Sequence, residues 1–283
     1  MDLSQGLRTS LAALLFAAPF AAIADERTSA ASVAVTSTVP LPRVYTPVRS
    51  RAVAPKYPWR EQIVTTIFWI GERPTANNPT PNHMSSWDTR WAVNYGGYDD
   101  PNPEARTHDF CPIGFTPGQN PFYVALPYND VIGSKKFKPE ARRVIPWFKD
   151  KFTREGKTVC KGQWVAIRFG KKICYAQWED CGPWTTDDWR YVFGGEPPQN
   201  TTKNNGAALD VSPAVRDYLG IRSGARCDWR FATLEEVTAG PWRIYGENNH
   251  FVQAKDQPSE QAASRMAELK RPREAWLKQQ RYP

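Results

Sequence analysis

The sequence predicts a mainly β protein with one core, and three observations support this fold class. Residues 62–72 (QIVTTIFWIGE) and 120–130 (NPFYVALPYND) are short runs rich in β-branched and aromatic residues, bounded by turn-forming segments. Residues 163–180 alternate apolar and polar side chains around a Gly-Lys pair, as expected for a hairpin. Roughly 200 residues follow the N-terminal leader, which is enough for one domain with a real core.

The chain begins with an apolar run, residues 11–24, that follows Arg8 and ends in Ala-Ile-Ala. The run is shorter than the ~20 apolar residues of a membrane span and ends in a small-residue cleavage pattern, so residues 1–24 are predicted to be a secretory signal. Residues 25–57 are rich in Ala, Ser, Thr, Val and Pro and are predicted to be a flexible linker. The protein is therefore expected to be exported, periplasmic or extracellular, and without a membrane span.

The folded domain is predicted over residues 58–255, followed by a charged helical tail over 256–283. Residues 73–109 form a long excursion dense in Pro, Asn, Gly and Asp, and loops of this length in compact domains are usually functional or disordered. Its aromatic residues favour a packed loop, because disordered segments carry few of them. Residues 138–152 predict a helix that is interrupted at Pro146.

The formal net charge is +8. An exported basic protein meets anionic envelope polymers and acidic polysaccharides, although the charge also serves solubility. No nucleic-acid-binding motif occurs, so nucleic acid is not expected as a partner. No C-x2-C pair occurs, and the lone His108-Asp-Phe-Cys111 pattern is a weak metal signal. No metal or other cofactor is expected, and the oligomeric state is left open.

Gly170 and Lys171 fit the central positions of a two-residue hairpin turn that has Gly first. That turn fixes the register of the flanking strands and places Cys160 opposite Cys181. Five cysteines in an exported chain favour two disulfides and one free thiol. A Cys160–Cys181 disulfide is therefore predicted, which would stabilise the fold by roughly 3 kcal/mol, and the other pairing stays open. The register also predicts the opposed pairs Gln163 with Trp178, Val165 with Ala176, and Ile167 with Cys174.

The hairpin ends in Glu179-Asp180, and two roles for Asp180 are open. The alternation puts Asp180 on the core-facing side of the strand and Glu179 on the other side. A carboxylate at the mouth of a core is partly desolvated, which raises its pKa toward the range useful for proton transfer. Alternatively, Asp180 caps its own turn by accepting a backbone N–H, as is common before Gly-Pro. The residues alone favour the cap.

Residues 207–220 (AALDVSPAVRDYLG) predict a short strand followed by a helix. Ser212 is the predicted N-cap, Pro213 occupies the first helical position, and Gly220 ends the helix after two turns. Asp210 lies in the strand, where its simplest role is to accept backbone N–H groups at the strand–helix junction. The final strands are predicted over residues 229–237 and 241–255.

The stretches AQWEDCGPW (176–184) and GAALDVSPAVRDYLG (206–220) resemble the double-psi β-barrel domain of rare lipoprotein A-like proteins and expansins. That family has an Asp-x-Gly-Pro turn after a hairpin, and an Asp-hydrophobic-Ser-x-Ala segment that opens a short helix ending in Leu-Gly. The resemblance implies a six-stranded double-psi β-barrel with short helices, to which this sequence adds the long excursion and a peripheral C-terminal helix. The matching positions are Asp180, Gly182, Pro183, Asp210, Val211, Ser212, Ala214, Leu219 and Gly220.

The resemblance also implies chemistry. In lytic members of the rare lipoprotein A type the Asp of the Asp-x-Gly-Pro turn belongs to the glycan-cleaving site, which corresponds to Asp180. In family 45 endoglucanases and expansins an Asp opening the second segment is the general acid or its equivalent, which corresponds to Asp210. The histidine that lytic members carry before a Leu-Pro segment is replaced here by residues 122–125 (FYVA). The expected sugar-contacting residues are Tyr123, Tyr128, Trp184, Trp189 and Tyr191.

Three functions follow as hypotheses. The first is an exported, expansin-like protein that binds or remodels cell-envelope or plant-wall polysaccharide without hydrolysis. The second is a glycan-cleaving enzyme, of the lytic transglycosylase or endoglucanase type, in which Asp180 and Asp210 flank the scissile bond. The third is a structural or inhibitory exported protein in which both aspartates only stabilise the barrel, because a fold alone does not establish an activity.

Overall fold

A computed structural model describes residues 54–256 apart from residues 76, 77, 79 and 134. The predicted secretory signal, most of the predicted linker and the charged tail beyond residue 256 lie outside the described residues. Tyr57, the last residue of the predicted linker, packs edge-on against Trp147 and Phe231. The helices of this described part are all too short or too polar to cross a membrane.

Six strands close into one mixed β-barrel within the described chain. Around the barrel their order is β1-β7-β2-β6-β5-β8, and β3 and β4 form a separate two-stranded ribbon. The pairs β1–β7 and β2–β6 are parallel, whereas the other neighbours are antiparallel. The strands are β1 (Arg60–Ile67), β2 (Tyr123–Leu126), β3 (Val131–Ile132), β4 (Lys136–Phe137), β5 (Gln163–Phe169), β6 (Lys172–Cys181), β7 (Leu209–Val211) and β8 (Ala225–Phe231).

The helices are short. Pro146 separates α2 from α3, as the sequence predicts, because proline cannot donate the backbone hydrogen bond that would continue α2. Ser212 caps α4 by accepting the Val215 N–H at 3.3 Å, and Gly220 ends α4 in a left-handed conformation with φ 74°. The α-helices are α1 (Trp91–Tyr95), α2 (Ala141–Val144), α3 (Phe148–Lys151), α4 (Pro213–Leu219) and α5 (His250–Asp256).

The β5–β6 hairpin has the predicted register, since its turn and its three predicted pairs are all observed. Both faces of the hairpin are buried, because its inner face fills the barrel and its outer face is covered. The cover comes from residues 241–255, which form a 3-10 turn and α5 and not the predicted strands. Trp242 packs 5.4 Å from Tyr175 between ring centroids, and Phe251 packs 5.6 Å from Trp164.

The predicted disulfide is not formed in the structure, where all five cysteines are free thiols. The strand pairing stops before it reaches Cys160. Gln163 donates its N–H to the Cys160 carbonyl at 3.0 Å, which closes a turn, and Gly162 within this turn has φ 77°. The turn takes Cys160 out of the ladder, so the extrapolated pairing with Cys181 does not apply.

The excursion over residues 73–109 is a packed loop, as its aromatic content predicts. Trp91 and Tyr95 of α1 are buried, and the Trp91 ring lies 5.3 Å from the Tyr123 ring of β2. Arg106 and Asp99 form a buried ion pair at 2.5 Å. The ring contact packs the excursion against β2, and the ion pair joins two parts of the excursion to each other.

Candidate functional site

A groove of about 570 Å³ opens between the end of β1, the middle of β7 and the turn that follows β6. Its volume lies within the range of small-molecule and ligand sites. The groove mixes carboxyl, amide, hydroxyl, aromatic and lysine side chains. The lining residues used below are Thr66, Glu72, Ser86, Trp184, Lys203 and Asp210.

Asp210 is the best-placed titratable group in this groove. The parallel β1–β7 pairing sets Thr66 beside Asp210, and the Thr66 hydroxyl donates a short hydrogen bond to Asp210 Oδ1. The pKa of Asp210 is raised to about 7, mainly by burial and to a smaller extent by the charges of Glu72 and Asp180, while the hydrogen bond from Thr66 opposes the rise. The side chain therefore carries a proton for part of the time at neutral pH. It accepts a side-chain hydroxyl, so the predicted backbone-capping role is not what the structure shows.

Gly182 lies beside Asp210 in the turn after β6. Its φ is 153°, a conformation that residues with a Cβ rarely adopt, and a Cβ built on it would be in ordinary contact with Asp210 Oδ2 at 3.9 Å. The Gly182 N–H donates to the Leu126 carbonyl at 3.0 Å, which fixes the turn to β2. One oxygen of Asp210 thus faces Thr66 and the other faces this turn.

Asp180 lies next to the groove but serves mainly as a hydrogen-bond acceptor for the backbone. Its Oδ1 accepts the Cys181 N–H at 2.8 Å and the Ser86 N–H at 2.7 Å. The first bond is the cap that the residues alone favour. The second bond ties the long excursion to the end of β6. Burial raises the pKa of Asp180, and these two N–H groups oppose that rise.

Glu72 is a groove residue that the sequence reasoning missed. It accepts the Asn82 side-chain amide at 2.9 Å, and burial raises its pKa despite that bond. Its charge contributes to the raised pKa of Asp210. The sequence did offer one indication that Glu72 belongs to the site. Glu72 is the acidic residue that ends the apolar run at residues 62–72, at the point where the excursion begins. The chemical result is a second carboxyl group in electrostatic contact with Asp210.

Glu179, which the alternation places on the side of the strand opposite Asp180, is only 1 % exposed. Its Oε1 accepts the Asn248 amide at 3.0 Å, and Lys161 Nζ lies 3.7 Å from Oε2. Burial raises its pKa to about 7, and Lys161 and Asn248 oppose the rise. The same lysine contacts Asp88 of the excursion at 3.2 Å. Glu179 is therefore part of the support for the excursion, outside the groove.

Of the five predicted sugar-contacting aromatics, Trp184 is the one that lines the groove. Its side chain is 37 % exposed, and Lys203 Nζ lies 5.0 Å from its ring centroid. Trp189 is half-buried between two arginines, 5.2 Å from Arg190 and 5.9 Å from Arg143, and does not line the groove.

The prediction for the three tyrosines needs correction. Tyr123, Tyr128 and Tyr191 are at most 1 % exposed, so their rings cannot stack on a sugar. Tyr123 and Tyr128 are predicted from their positions around the Leu-Pro segment, and Tyr191 from the turn-rich stretch after Asp180, but such positions do not show whether a loop covers the ring. Their hydroxyls hydrogen-bond inside the protein, to Asp99, Glu140 and the Ala208 carbonyl respectively.

The side chains of the described residues include no cluster of three or more His, Cys, Asp and Glu placed to hold a metal ion. No protein-family model, curated protein or solved structure matches the chain.

Proposed function

We propose that the chain is an exported double-psi β-barrel protein that binds cell-envelope or plant-wall polysaccharide in the groove beside Asp210. A closed six-stranded barrel with two parallel pairs, β1–β7 and β2–β6, is compatible with that fold. The turn after β6 and the central residue of β7, which carry the resemblance to rare lipoprotein A-like proteins and expansins, border one groove. The proposal joins the motif to a surface that a ligand can reach.

The observation that carries the proposal is the combination of Asp210, Trp184 and Lys203 around the groove. A sugar ring offers an apolar face and a rim of hydroxyl groups. The exposed Trp184 ring suits the apolar face, whereas Lys203 and the partly protonated Asp210 can hydrogen-bond to hydroxyls. The net charge of +8 adds attraction to anionic wall polymers, so binding should weaken with salt.

Pull-down on insoluble peptidoglycan and on cellulose tests the proposal. Trp184→Ala should reduce the bound fraction, because it removes the exposed ring of the groove. Trp189→Ala is the matched control, since Trp189 lies outside the groove, and it should bind like the wild type. Equal loss in both variants would point to general destabilisation. A wild-type protein that binds neither polymer contradicts the proposal and leaves the structural or inhibitory role.

Glycan cleavage is the second candidate, and the raised pKa of Asp210 is the observation that favours it. A carboxyl group with pKa about 7 can donate a proton to a glycosidic oxygen near neutral pH, as a general acid must. Asp210→Asn keeps the shape and removes the proton, so release of soluble sugar should fall by roughly 10²–10⁴-fold while pull-down persists. A wild type that binds and releases no sugar supports the non-hydrolytic, expansin-like role.

A further inference from the structure

A second cavity, of about 940 Å³, lies beside the groove and is largely apolar. We infer that this aromatic cavity is a subsite for a further sugar ring of the same polysaccharide. The inference rests on the proposed function and extends it to residues that the resemblance does not cover. The lining residues used here are Trp69, Gly71, Glu72, Arg73, Val93 and Tyr98.

The aromatic cavity and the groove share one wall. Glu72 lines both, so the two lie side by side, and a chain of linked sugars that passes Asp210 would extend toward the aromatic cavity. A polymer ligand needs such consecutive subsites, whereas a single small ligand does not. The shared Glu72 wall therefore favours a sugar of the same chain as the occupant.

The aromatic cavity exposes apolar side chains that the fold keeps in place. Tyr98 is 49 % exposed and Val93 is 64 % exposed. A Cβ built on Gly71, whose φ is 85°, would lie 2.9 Å from Tyr98 Cδ2, so glycine is what allows the ring to rest on the backbone there. The Asp99 N–H donates to the Ile70 carbonyl at 3.0 Å and holds the segment that carries Tyr98 beside the one that carries Gly71.

The segment that carries Val93 is also fixed. Ala92, beside the buried Trp91, donates its N–H to the His83 carbonyl at 3.0 Å. Phe115 backs the Gly96-Gly97 turn, where a Cβ on Gly97 would lie 3.2 Å from the Phe115 ring. A pre-formed wall lowers the entropic cost of binding.

The lining chemistry matches a sugar better than an acyl chain. The rings of Trp69 and Tyr98 provide faces for an apolar sugar face, and both belong to the same cavity as Glu72 and Arg73, which can reach hydroxyl groups. A hydrocarbon chain would leave those charged groups without a hydrogen-bonding partner on the ligand. The aromatic cavity also gives the 73–109 excursion a role, because it contributes Val93 and Tyr98.

Binding of β-1,4-linked N-acetylglucosamine oligomers, from dimer to hexamer, tests the inference by calorimetry. In the wild type the Kd should fall as the oligomer lengthens. Tyr98→Ala should weaken hexamer binding by about tenfold and leave the shortest binding oligomer unchanged, because one ring-stacking contact is lost. Val93→Arg, on an exposed position of the same wall, should have the same effect by filling the cavity. Phe169→Ala is the control, since this exposed aromatic lines neither cavity.

The outcomes separate the two proposals. If the wild type and both cavity variants bind all oligomers alike while Trp184→Ala binds weakly, the subsite is wrong and the groove stands. If Tyr98→Ala and Val93→Arg weaken every oligomer equally, the cavity is not a separate subsite, and the inference is also overturned. If the wild type binds neither these oligomers nor the insoluble polymers, the proposed function fails and the subsite fails with it.

Discussion

Asp180 and Asp210 both follow from sequence motifs, but the structure gives them different surroundings. Asp180 gives one oxygen to two backbone N–H groups and holds the excursion to β6. Asp210 receives one side-chain hydroxyl and faces the groove. Hydrogen bonds from backbone N–H groups favour the ionised form, whereas burial with fewer donors favours the neutral form. Asp210 therefore faces the groove with a pKa of about 7, whereas Asp180 holds the excursion to β6.

We predict that polysaccharide binding weakens as the pH rises through about 7. Below that pH Asp210 is protonated and donates a hydrogen bond, and above it the donor is lost. One hydrogen bond is worth about 1 kcal/mol, so the Kd should rise roughly fivefold between pH 6 and pH 8. Asp210→Asn keeps an N–H donor at every pH and should flatten the profile. Glu61→Gln, an exposed carboxyl change, should leave it as in the wild type, and a flat wild-type profile would contradict this role.

At Asp180 we predict that the shape of the substitution matters more than its charge. Asp180→Ala leaves the Ser86 and Cys181 N–H groups without their acceptor, which should cost about 1–3 kcal/mol in the free energy of unfolding. Asp180→Asn keeps one carbonyl oxygen at that position and should cost clearly less. Urea unfolding at pH 6 measures both. Equal losses in the two variants would show that the charge, and not the acceptor, is what the fold needs.

Single residues of the site could be found from sequence only where a motif marked them. Asp180, Asp210 and Trp184 follow from the Asp-Cys-Gly-Pro-Trp and Asp-Val-Ser segments, which tie residue type to a turn or a cap. Glu72 and Tyr98 come into the site through tertiary contacts of a loop that has no periodicity. Burial of an aromatic ring depends on which loop covers it, and no local pattern encodes that.

At the scale of elements, the hairpin was predictable because its two-residue turn determines the register of both strands. The pairing could not be extended past Gln163, because the Cys160–Gln163 turn ends the ladder. Residues 241–255 contain Trp242 and Phe251 in a short aromatic run, and such a run predicts a strand. Both rings pack on the outer face of the barrel, against Trp164 and Tyr175. An alternating strand pattern predicts that this outer face is exposed to solvent, so it gives no sign that another segment covers it.

The junction of β7 and α4 permits a test of capping. Ser212 Oγ accepts the Val215 N–H at 3.3 Å and the Tyr123 N–H at 3.4 Å. Ser212→Ala should therefore lower the free energy of unfolding by about 1–2 kcal/mol, as for other lost N-caps. Thr202→Ala is the matched control, because Thr202 precedes a 3-10 turn and makes no capping bond. Similar urea midpoints for Ser212→Ala and the wild type would contradict the capping role.

At the scale of the whole molecule, loops form part of the groove, and several contacts attach these loops to the barrel. Ser86 is bonded to Asp180, Asp88 is paired with Lys161, and the Trp87 Nε1–H donates to Asn129 at 2.9 Å. These contacts fix three consecutive residues of the excursion at one edge of the groove. A mainly β fold was predictable from strand-like runs, but the course of the excursion depends on such individual bonds.

Buried carboxyl groups should make the stability of the whole protein depend on pH with a maximum in mildly acidic solution. Burial raises the pKa of Asp210 and of Glu179 to about 7, so each contributes stability that is fully present below pH ~4 and is lost progressively as the pH rises from about 4 to 7. Asp88 behaves oppositely: burial opposes ionisation, but Asn94, Gln119 and Lys161 bring its pKa to about 2, and its contribution is lost as the pH falls from about 4 to 2.

We therefore predict that the urea midpoint is highest near pH 4, declines between pH 4 and 7, and levels off above pH 7. Glu179→Gln removes one of the two titrations, and it should reduce this decline by roughly 2 kcal/mol while changing little at pH 4. Asp88→Asn should act at the other end, abolishing part of the loss below pH 4. Unfolding curves at six pH values between 3 and 8 measure both limbs. A wild-type midpoint that stays level up to pH 8 would show that the buried carboxyl groups ionise at no cost, and that Asp210 is not the neutral-pH proton donor of the groove.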